Sequence, residues 1–284
     1  MMQQAETLRR LLNRKGLLVV PGVYDGLTAK IAQSCGFEAL YMTGGGTAAS
    51  YGYPDIGLLT MNEMLENVRR ISGSVELPLI ADADTGYGSY LNVYRTVREY
   101  EKAGAAAIQI EDQAWPKRSG HMPGKQVIEA QEMVGKVKAA ADARTQRDTV
   151  LIIRTDANAT NGFDEAVHRG QLYAEAGADI LFVESLSSGD QIRRIPRLFA
   201  KPCLINMAFL WQKQDLKEVE AMGYALAIYP VITLQGAIEG AYRMCKALLE
   251  QGRPLEQRDA PVDVDRLNAL LGLDKYKELE KKIS

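Results

Sequence analysis

The 284-residue chain is 46% hydrophobic and 25% charged, the balance of a globular protein with enough apolar residues to bury a large core. A formal net charge of -2 and a pI near 5.9, with no run of Lys and Arg, argue against nucleic-acid binding. Apolar stretches such as LLVVPGVY and LFVESL are far shorter than the roughly 20 residues of a membrane span, and MMQQAETLRR lacks a signal peptide's apolar region, so a soluble cytoplasmic protein with no membrane partner is expected.

In chain order, short apolar, β-branched runs recur, each followed by a stretch of helical periodicity. The runs are LLVVPGVYD (17–25), ALYMTGG (39–45), LPLIADADTG (77–86), AAIQIED (106–112), TVLIIRTDA (149–157), ILFVES (180–185), PCLINM (202–207) and LAIYP (226–230). Helices are expected at MNEMLENVRRIS, YLNVYRTVREYEKAG and FDEAVHRGQLYAEAG, with Gly104 and Gly177 as their stops in the last two. Eight alternating units predict an α/β fold of the (β/α)8 barrel type rather than a doubly wound sheet. No Pro-rich or Ser-rich linker divides the chain, so residues 1–284 read as one barrel domain, with a helical tail from about 254 to 284 (RLNALLGL and KYKELEKKI) outside the barrel. Cys35, Cys203 and Cys245 are odd in number and widely spaced, which fits neither a disulfide framework nor a zinc site; all three are expected to fill the core.

Active sites of such barrels form at the carboxyl ends of the strands. Here strand three ends in Asp82 and Asp84, strand four in Glu111 and Asp112, strand five in Arg154 and Asp156, strand six in Glu184 and strand seven in Asn206. One strand-end carboxylate alone would more often cap a helix or pair with an arginine. Four successive strands ending in ionisable groups point instead to a site. Alternation puts Asp82 and Asp84 on one side of their strand, and with Glu111 adjacent they suit a hard, oxygen-ligated cation, Mg2+ with Mn2+ as the alternative. YMTGGGTAAS offers a hydroxyl and three glycines, for an anion cradle or equally for a tight turn, at a spacing that matches no nucleotide-binding motif. Arg154 is expected to grip a substrate carboxylate with two parallel hydrogen bonds, beneath a mobile loop, PKRSGHMPGK (116–125), that carries Lys117 and His121. The substrate should be small and anionic. His168 falls on an exterior helix and Arg118 reads as a solvated charge.

Together VVPGVYDGLTAK, YMTGGG, GYPDIG, DADTGYG, IEDQ, PKRSGH, RTDA and LAIYP, in order from about residue 17 to 230, resemble the isocitrate lyase and phosphoenolpyruvate mutase superfamily. That resemblance implies Mg2+ held by Asp82, Asp84 and, through water, Glu111, with Tyr41, Thr43, Gly44 and Gly45 around a 2-oxo or 2-hydroxy carboxylate. It places Asp55, Gly120, Arg154, Glu184 and Asn206 at further active-site positions, and Lys117, Ser119 and His121 in a closing loop. It also implies a homotetramer in which the last barrel helix, residues 232–251, is exchanged between neighbours.

Two departures stand out. The superfamily's carbon–carbon lyases resemble K-[KR]-C-G-H at the loop, where a cysteine protonates the enolate product, and this chain has Ser119. A thiol of pKa about 8.5 releases a proton near neutral pH, whereas an aliphatic hydroxyl is a far weaker acid. A natural member with altered chemistry and a Cys-to-Ser replacement both fit the residues. After strand seven the chain reads INMAFLWQKQ, where methylisocitrate lyases resemble N-x-T-E-F-G and alkylmalate lyases and carboxyphosphonoenolpyruvate mutases N-M-V-E-G-G; the missing glutamate and the bulky Phe209, Leu210 and Trp211 imply a more apolar distal pocket. The expected activity is Mg2+-dependent cleavage of a 2-hydroxy dicarboxylate, of alkylmalate or methylisocitrate type, to pyruvate or a related 2-oxo acid. Either Tyr41 or a metal-polarised water would take the hydroxyl proton. Phosphonopyruvate or carboxyphosphonoenolpyruvate mutase chemistry, or oxaloacetate decarboxylation, is the alternative.

Overall fold

The computed structural model describes residues 2–208, 215–253, 255 and 263–283. Phe209, Leu210 and Trp211 lie outside the described residues. Eight strands, β1 (Leu18–Val23), β2 (Leu40–Met42), β3 (Leu79–Asp82), β4 (Ala107–Glu111), β5 (Val150–Thr155), β6 (Ile180–Val183), β7 (Cys203–Asn206) and β8 (Leu226–Tyr229), pair in parallel with their chain neighbours. Pairing of β8 with β1 closes the (β/α)8 barrel.

Helices α1 (Met2–Asn13), α2 (Gly26–Ser34), α3 (Gly44–Ser50), α4 (Met61–Ser74), α5 (Tyr90–Ala103) and α6 (Ala130–Ala143) accompany the first half. The second half carries α7 (Ala157–Thr160), α8 (Phe163–Ala176), α9 (Gly189–Leu198), α10 (Leu216–Met222) and α11 (Ile232–Gln251), followed by α12 (Val264–Leu271) and α13 (Leu273–Ile283). Local chemistry sets several boundaries. Asp25 caps α2 by accepting from Thr28 N at 2.7 Å, and Gly104 ends α5 in the left-handed region at φ +103°. The expected tail helices appear as α12 and α13, with α12 packed on α2.

A single strand phase organises both core and mouth. Leu18, Val20, Ile80, Ile152, Phe182, Leu204 and Ile228 fill the barrel interior, joined from below by Ala5 and Leu8 of α1, which plugs its amino-terminal end. The alternate residues, such as Ala81, Ile108, Ile110, Leu151 and Ile153, pack outward with Val68, Val97, Tyr100 and Tyr173 of the helices. Burial on both faces explains why the strands read as continuous apolar runs. Each fully buried Leu, Ile or Phe contributes roughly 1.5–3 kcal/mol relative to exposure.

Two expectations change, and a third observation concerns α11. The second strand stops at Met42, because Thr43 turns the chain into α3 by accepting from Gly46 N at 3.3 Å. Cys203 is buried, its thiol pushed up to about 12 by burial, but Cys35 and Cys245 are exposed. Helix α11 has one buried residue, Ala247, and presents Ile238, Tyr242 and Leu249 to solvent. Among the described residues no helix is long and apolar enough to cross a membrane.

Candidate active site

Carried past the strand ends, the interior phase changes from apolar to ionisable. Ile80 is followed by Asp82, Gln109 by Glu111, Ile152 by Arg154, Phe182 by Glu184 and Leu204 by Asn206, so each mouth side chain stands on an interior one, apolar in every pair but that of Gln109. Asp112 belongs to the opposite phase. It faces the helices, where it accepts from Thr155 Oγ1 at 2.7 Å, Asp156 N at 2.9 Å and Tyr173 Oη at 2.9 Å and pairs with Arg169 at 3.3 Å. It braces strand five rather than facing the mouth.

Asp82 is held from four sides. Its Oδ2 accepts from Tyr41 Oη at 3.3 Å and Gly44 N at 3.2 Å, and its Oδ1 from Asp84 N at 3.1 Å and Gln109 Nε2 at 3.4 Å. The glycine-rich segment therefore acts as a helix start whose first amide is spent on Asp82, not as an open cradle. A Cβ at Gly44 would lie 2.7 Å from Asp82 Oδ2, so only glycine fits there. Asp84 adopts φ +47° and Ser185 φ +62°, strained conformations for side-chain-bearing residues, and both sit at the mouth.

Lys117 is buried rather than solvent-facing. Its Nζ lies 2.8 Å from Asp84 Oδ1 and hydrogen-bonds Asp55. Burial pushes its pKa down, but Asp84 and Asp55, then Glu111 and Asp82, more than reverse this and keep it protonated. Arg154 also departs from expectation. Its Nε and Nη2 bind Asp156 at 2.8 and 2.9 Å, so the planar fork is already occupied within the protein. Nη1 remains toward the mouth, 3.3 Å from Glu111 Oε2 and 3.9 Å from Glu184 Oε2, with the guanidinium over the Phe182 ring. Asn206 Nδ2 donates to Glu184 at 3.2 Å.

Tyr41, Thr43, Gly45, Asp55, Asp82, Lys117, Ser119, Gly120, His121, Arg154, Glu184 and Asn206 line one cavity of about 60 Å3 at the barrel mouth. Gly44, Asp84 and Glu111 adjoin it through the contacts above, so the structure gathers every predicted site residue. Hollows of about 580 and 980 Å3 lie off the barrel axis and contain none of them. His121 stands at the solvent edge. Partial burial, aided by Arg154 and Lys125 against the pull of Glu184, lowers its pKa and leaves it neutral near pH 7. His168 is exposed on α8.

Six carboxylates, Asp55, Asp82, Asp84, Glu111, Asp156 and Glu184, face three cations, Lys117, Lys125 and Arg154. Burial, partly offset by Lys117, raises Asp84 to about 6, and burial raises Glu111 well above its ordinary value despite Arg154. Glu111 Oε1 is buried without a hydrogen-bond partner among the described residues. Among the described residues no three ligating side chains already converge as a metal cage. The surplus of desolvated carboxylate charge and the orphaned oxygen nevertheless fit a hard divalent cation.

A family model described as phosphoenolpyruvate phosphomutase matches residues 8–249. The chain belongs to the phosphoenolpyruvate phosphomutase family. Its chemistry is that of the lyases and mutases of the isocitrate lyase and phosphoenolpyruvate mutase superfamily. A 2,3-dimethylmalate lyase of Eubacterium barkeri is 45% identical over 98% of each chain. A 2-methylisocitrate lyase of Aeropyrum pernix is 39% identical over 98% of this chain and 90% of its own. An oxaloacetate acetylhydrolase bound to 3,3-difluorooxalacetate superposes with a TM-score of 0.94 at 34% identity, covering 99% of this chain and 97% of that one. A phosphonopyruvate hydrolase complexed with oxalate and Mg2+ superposes with a TM-score of 0.90 at 31% identity over 98% of each.

Several residues of this phosphomutase-family site carried no sequence signal. Gln109, Phe182 and Ser185 lie inside apolar runs, and Lys125 at the end of a loop without periodicity.

Proposed function

We propose that the barrel mouth is a Mg2+-dependent lyase site that cleaves a 2-hydroxy dicarboxylate, of alkylmalate or methylisocitrate type, to pyruvate or a related 2-oxo acid. The observation that carries this reading is the excess of buried carboxylates around a small cavity roofed by Ser119, Gly120 and His121. Asp82, Asp84 and Glu111 would hold Mg2+, or Mn2+ in its place. The bound cation supplies Lewis-acid stabilisation to the charge that develops on the 2-oxo oxygen.

The chain's own groups supply the remainder. Arg154 Nη1, the edge not committed to Asp156, orients the substrate carboxylate. Burial and Asp82 push the Tyr41 phenol well above its ordinary pKa, so Tyr41 keeps its proton and orients Asp82 rather than acting as a base. Glu111, whose buried Oε1 has no hydrogen-bond partner among the described residues, would complete the carboxylate set around the cation. Lys117 stays charged between Asp55 and Asp84 and holds the loop down. Ser119 stands where the superfamily's lyases carry their thiol acid, so turnover is slow. The similarity to a 2,3-dimethylmalate lyase supports the alkylmalate form. Assay of alkylmalates, methylisocitrate, oxaloacetate and phosphonopyruvate with Mg2+ tests the reading. Release of pyruvate from an alkylmalate supports it; decarboxylation or P–C cleavage as the main activity supports the mutase or decarboxylase alternative, which the similarity to a phosphonopyruvate hydrolase favours.

The exposed apolar residues of α11 support its exchange between subunits of a homotetramer. Light scattering that returns a monomer would sink that assembly.

Two further outcomes are expected. Asp84, at about 6, keeps in the native state a proton that the unfolded chain, at about 3.9, has lost. Its contribution to stability is therefore full below about pH 4 and disappears as pH rises through 6. Mg2+ should offset that loss, raising the melting temperature by several degrees near pH 8 and by little near pH 5. Equal shifts at both values would count against Asp84 as a ligand. Gly44→Ala should weaken Mg2+-dependent oxalate binding by about tenfold or more, because its Cβ displaces Asp82 Oδ2. Unchanged affinity by calorimetry would remove Gly44 from the site.

A further inference from the structure

The loop over the cavity is pinned at both ends by ammonium groups. On the β2–β3 side Lys117 engages Asp55 and Asp84. On the opposite side Lys125, with a side chain 3% exposed, spends all three of its donors: on Gly120 O at 2.6 Å, Asp156 Oδ1 at 2.8 Å and Ser185 Oγ at 2.8 Å. Ser185 Oγ in turn donates to Gly120 O at 3.0 Å, and the strained Ser185 backbone is anchored by Asn158 Nδ2 on its carbonyl at 2.6 Å. Asp156 is completely buried and also carries Arg154 on two hydrogen bonds. One carboxylate thus holds both the loop's ammonium and the guanidinium that faces the cavity. Gly120 is pressed close enough that a Cβ there would lie 2.8 Å from Arg154 Nη2 and 2.9 Å from Glu184 Cδ.

The base of the loop is zipped independently. Ala114 N donates to Gln126 O at 2.8 Å and Ile128 N to Asp112 O at 2.9 Å, while the Gln113 side chain and the Arg118 backbone exchange hydrogen bonds at 2.8 and 2.9 Å. Lys125 is therefore not needed to form the loop. Its three contacts decide where the Gly120 carbonyl rests.

We propose that Lys125 is a positioning residue, a latch that couples closure of the 116–125 loop to the orientation of Arg154 through their shared partner Asp156. It is not among the residues that line the cavity. When Gly120 docks, the ammonium is saturated and Asp156 is fixed under both cations; when Gly120 lifts, the ammonium loses one acceptor and Asp156 is free to shift, taking Arg154 with it. The latch rests on the reading of the barrel mouth as the active site.

Trypsin cleavage after Lys117 and Arg118, followed by mass spectrometry on the full-length protein, reads the loop without reading activity. Lys125→Met should speed this cleavage about tenfold or more while leaving the melting curve cooperative, the size expected for losing a charge-assisted hydrogen bond. With Mg2+ present, oxalate should protect the natural sequence and dissociate at least about tenfold faster from Lys125→Met. Ser185→Ala, which leaves every charge in place, should give a smaller rise in cleavage, and the double variant should fall short of the sum. Cleavage unchanged in Lys125→Met overturns the latch. Should that variant not fold, unchanged cleavage in Ser185→Ala overturns it. Failure of oxalate to protect the natural sequence would instead overturn the active-site reading, since the cleavage rates without oxalate test the latch alone.

Discussion

Ser119→Cys should raise Mg2+-dependent carbon–carbon cleavage of an alkylmalate by about 10²–10⁴-fold, the usual contribution of one positioned general acid. The site otherwise has what a retro-aldol cleavage requires: a surplus of buried carboxylates for the cation, Arg154 Nη1 for the substrate and a loop closed over the cavity. At position 119 it carries a hydroxyl where the superfamily's lyases carry a thiol acid. His121 is a poor substitute, because partial burial, together with Arg154 and Lys125, lowers its pKa and leaves it neutral. Lys117 is held protonated by Asp84 and Asp55 and is committed to them. A thiol of reference pKa about 8.5 in place of the hydroxyl restores a usable acid with little change in volume. The gain should appear in kcat, with KM nearly constant, because the proton is needed in the transition state rather than for binding. No gain, alongside an existing decarboxylase or P–C activity, would rule out the lyase reading.

Arg154→Ala should be the most damaging single change, abolishing measurable turnover and removing about 3–5 kcal/mol of stability. Asp156, Glu111 and Glu184 are 0%, 1% and 3% exposed, and Arg154 approaches all three. Without it, three buried carboxylates share Lys125 and their mutual repulsion. They respond by holding protons in the native state that the unfolded chain releases above about pH 4. The sign follows directly: the native variant binds more protons than its unfolded form, so its stability falls as pH rises, and the deficit should be larger at pH 8 than at pH 5. Denaturant melts at the two values measure this. A deficit independent of pH would mean that lost packing on Phe182, not charge, is the cause.

Much of this arrangement is legible in the sequence because the parallel barrel imposes one period on both its core and its site. The alternation that hides Ile80, Ile152 and Phe182 places Asp82, Arg154 and Glu184 above them, so counting by twos recovers both. Gly104 and Gly177 announce helix ends because both adopt positive φ after a helical run. What escapes is non-periodic. Three consecutive glycines argue against a helix on propensity, yet α3 begins there because Asp82 and Thr43 satisfy its first amides. Nothing in a linear reading says that the Arg154 fork turns toward Asp156, or that Glu111 and its neighbour Asp112 face opposite ways. Lys125 meets partners 31 and 60 residues away across three loops, a coincidence that only folding creates.

The most direct test is isothermal titration of the protein with oxalate, a mimic of the pyruvate enolate, with and without Mg2+. Saturable binding is expected at one site per chain, requiring Mg2+ and lost in Asp82→Asn. Absence of oxalate binding in the presence of Mg2+, or binding indifferent to the metal and to Asp82, would contradict the active-site reading.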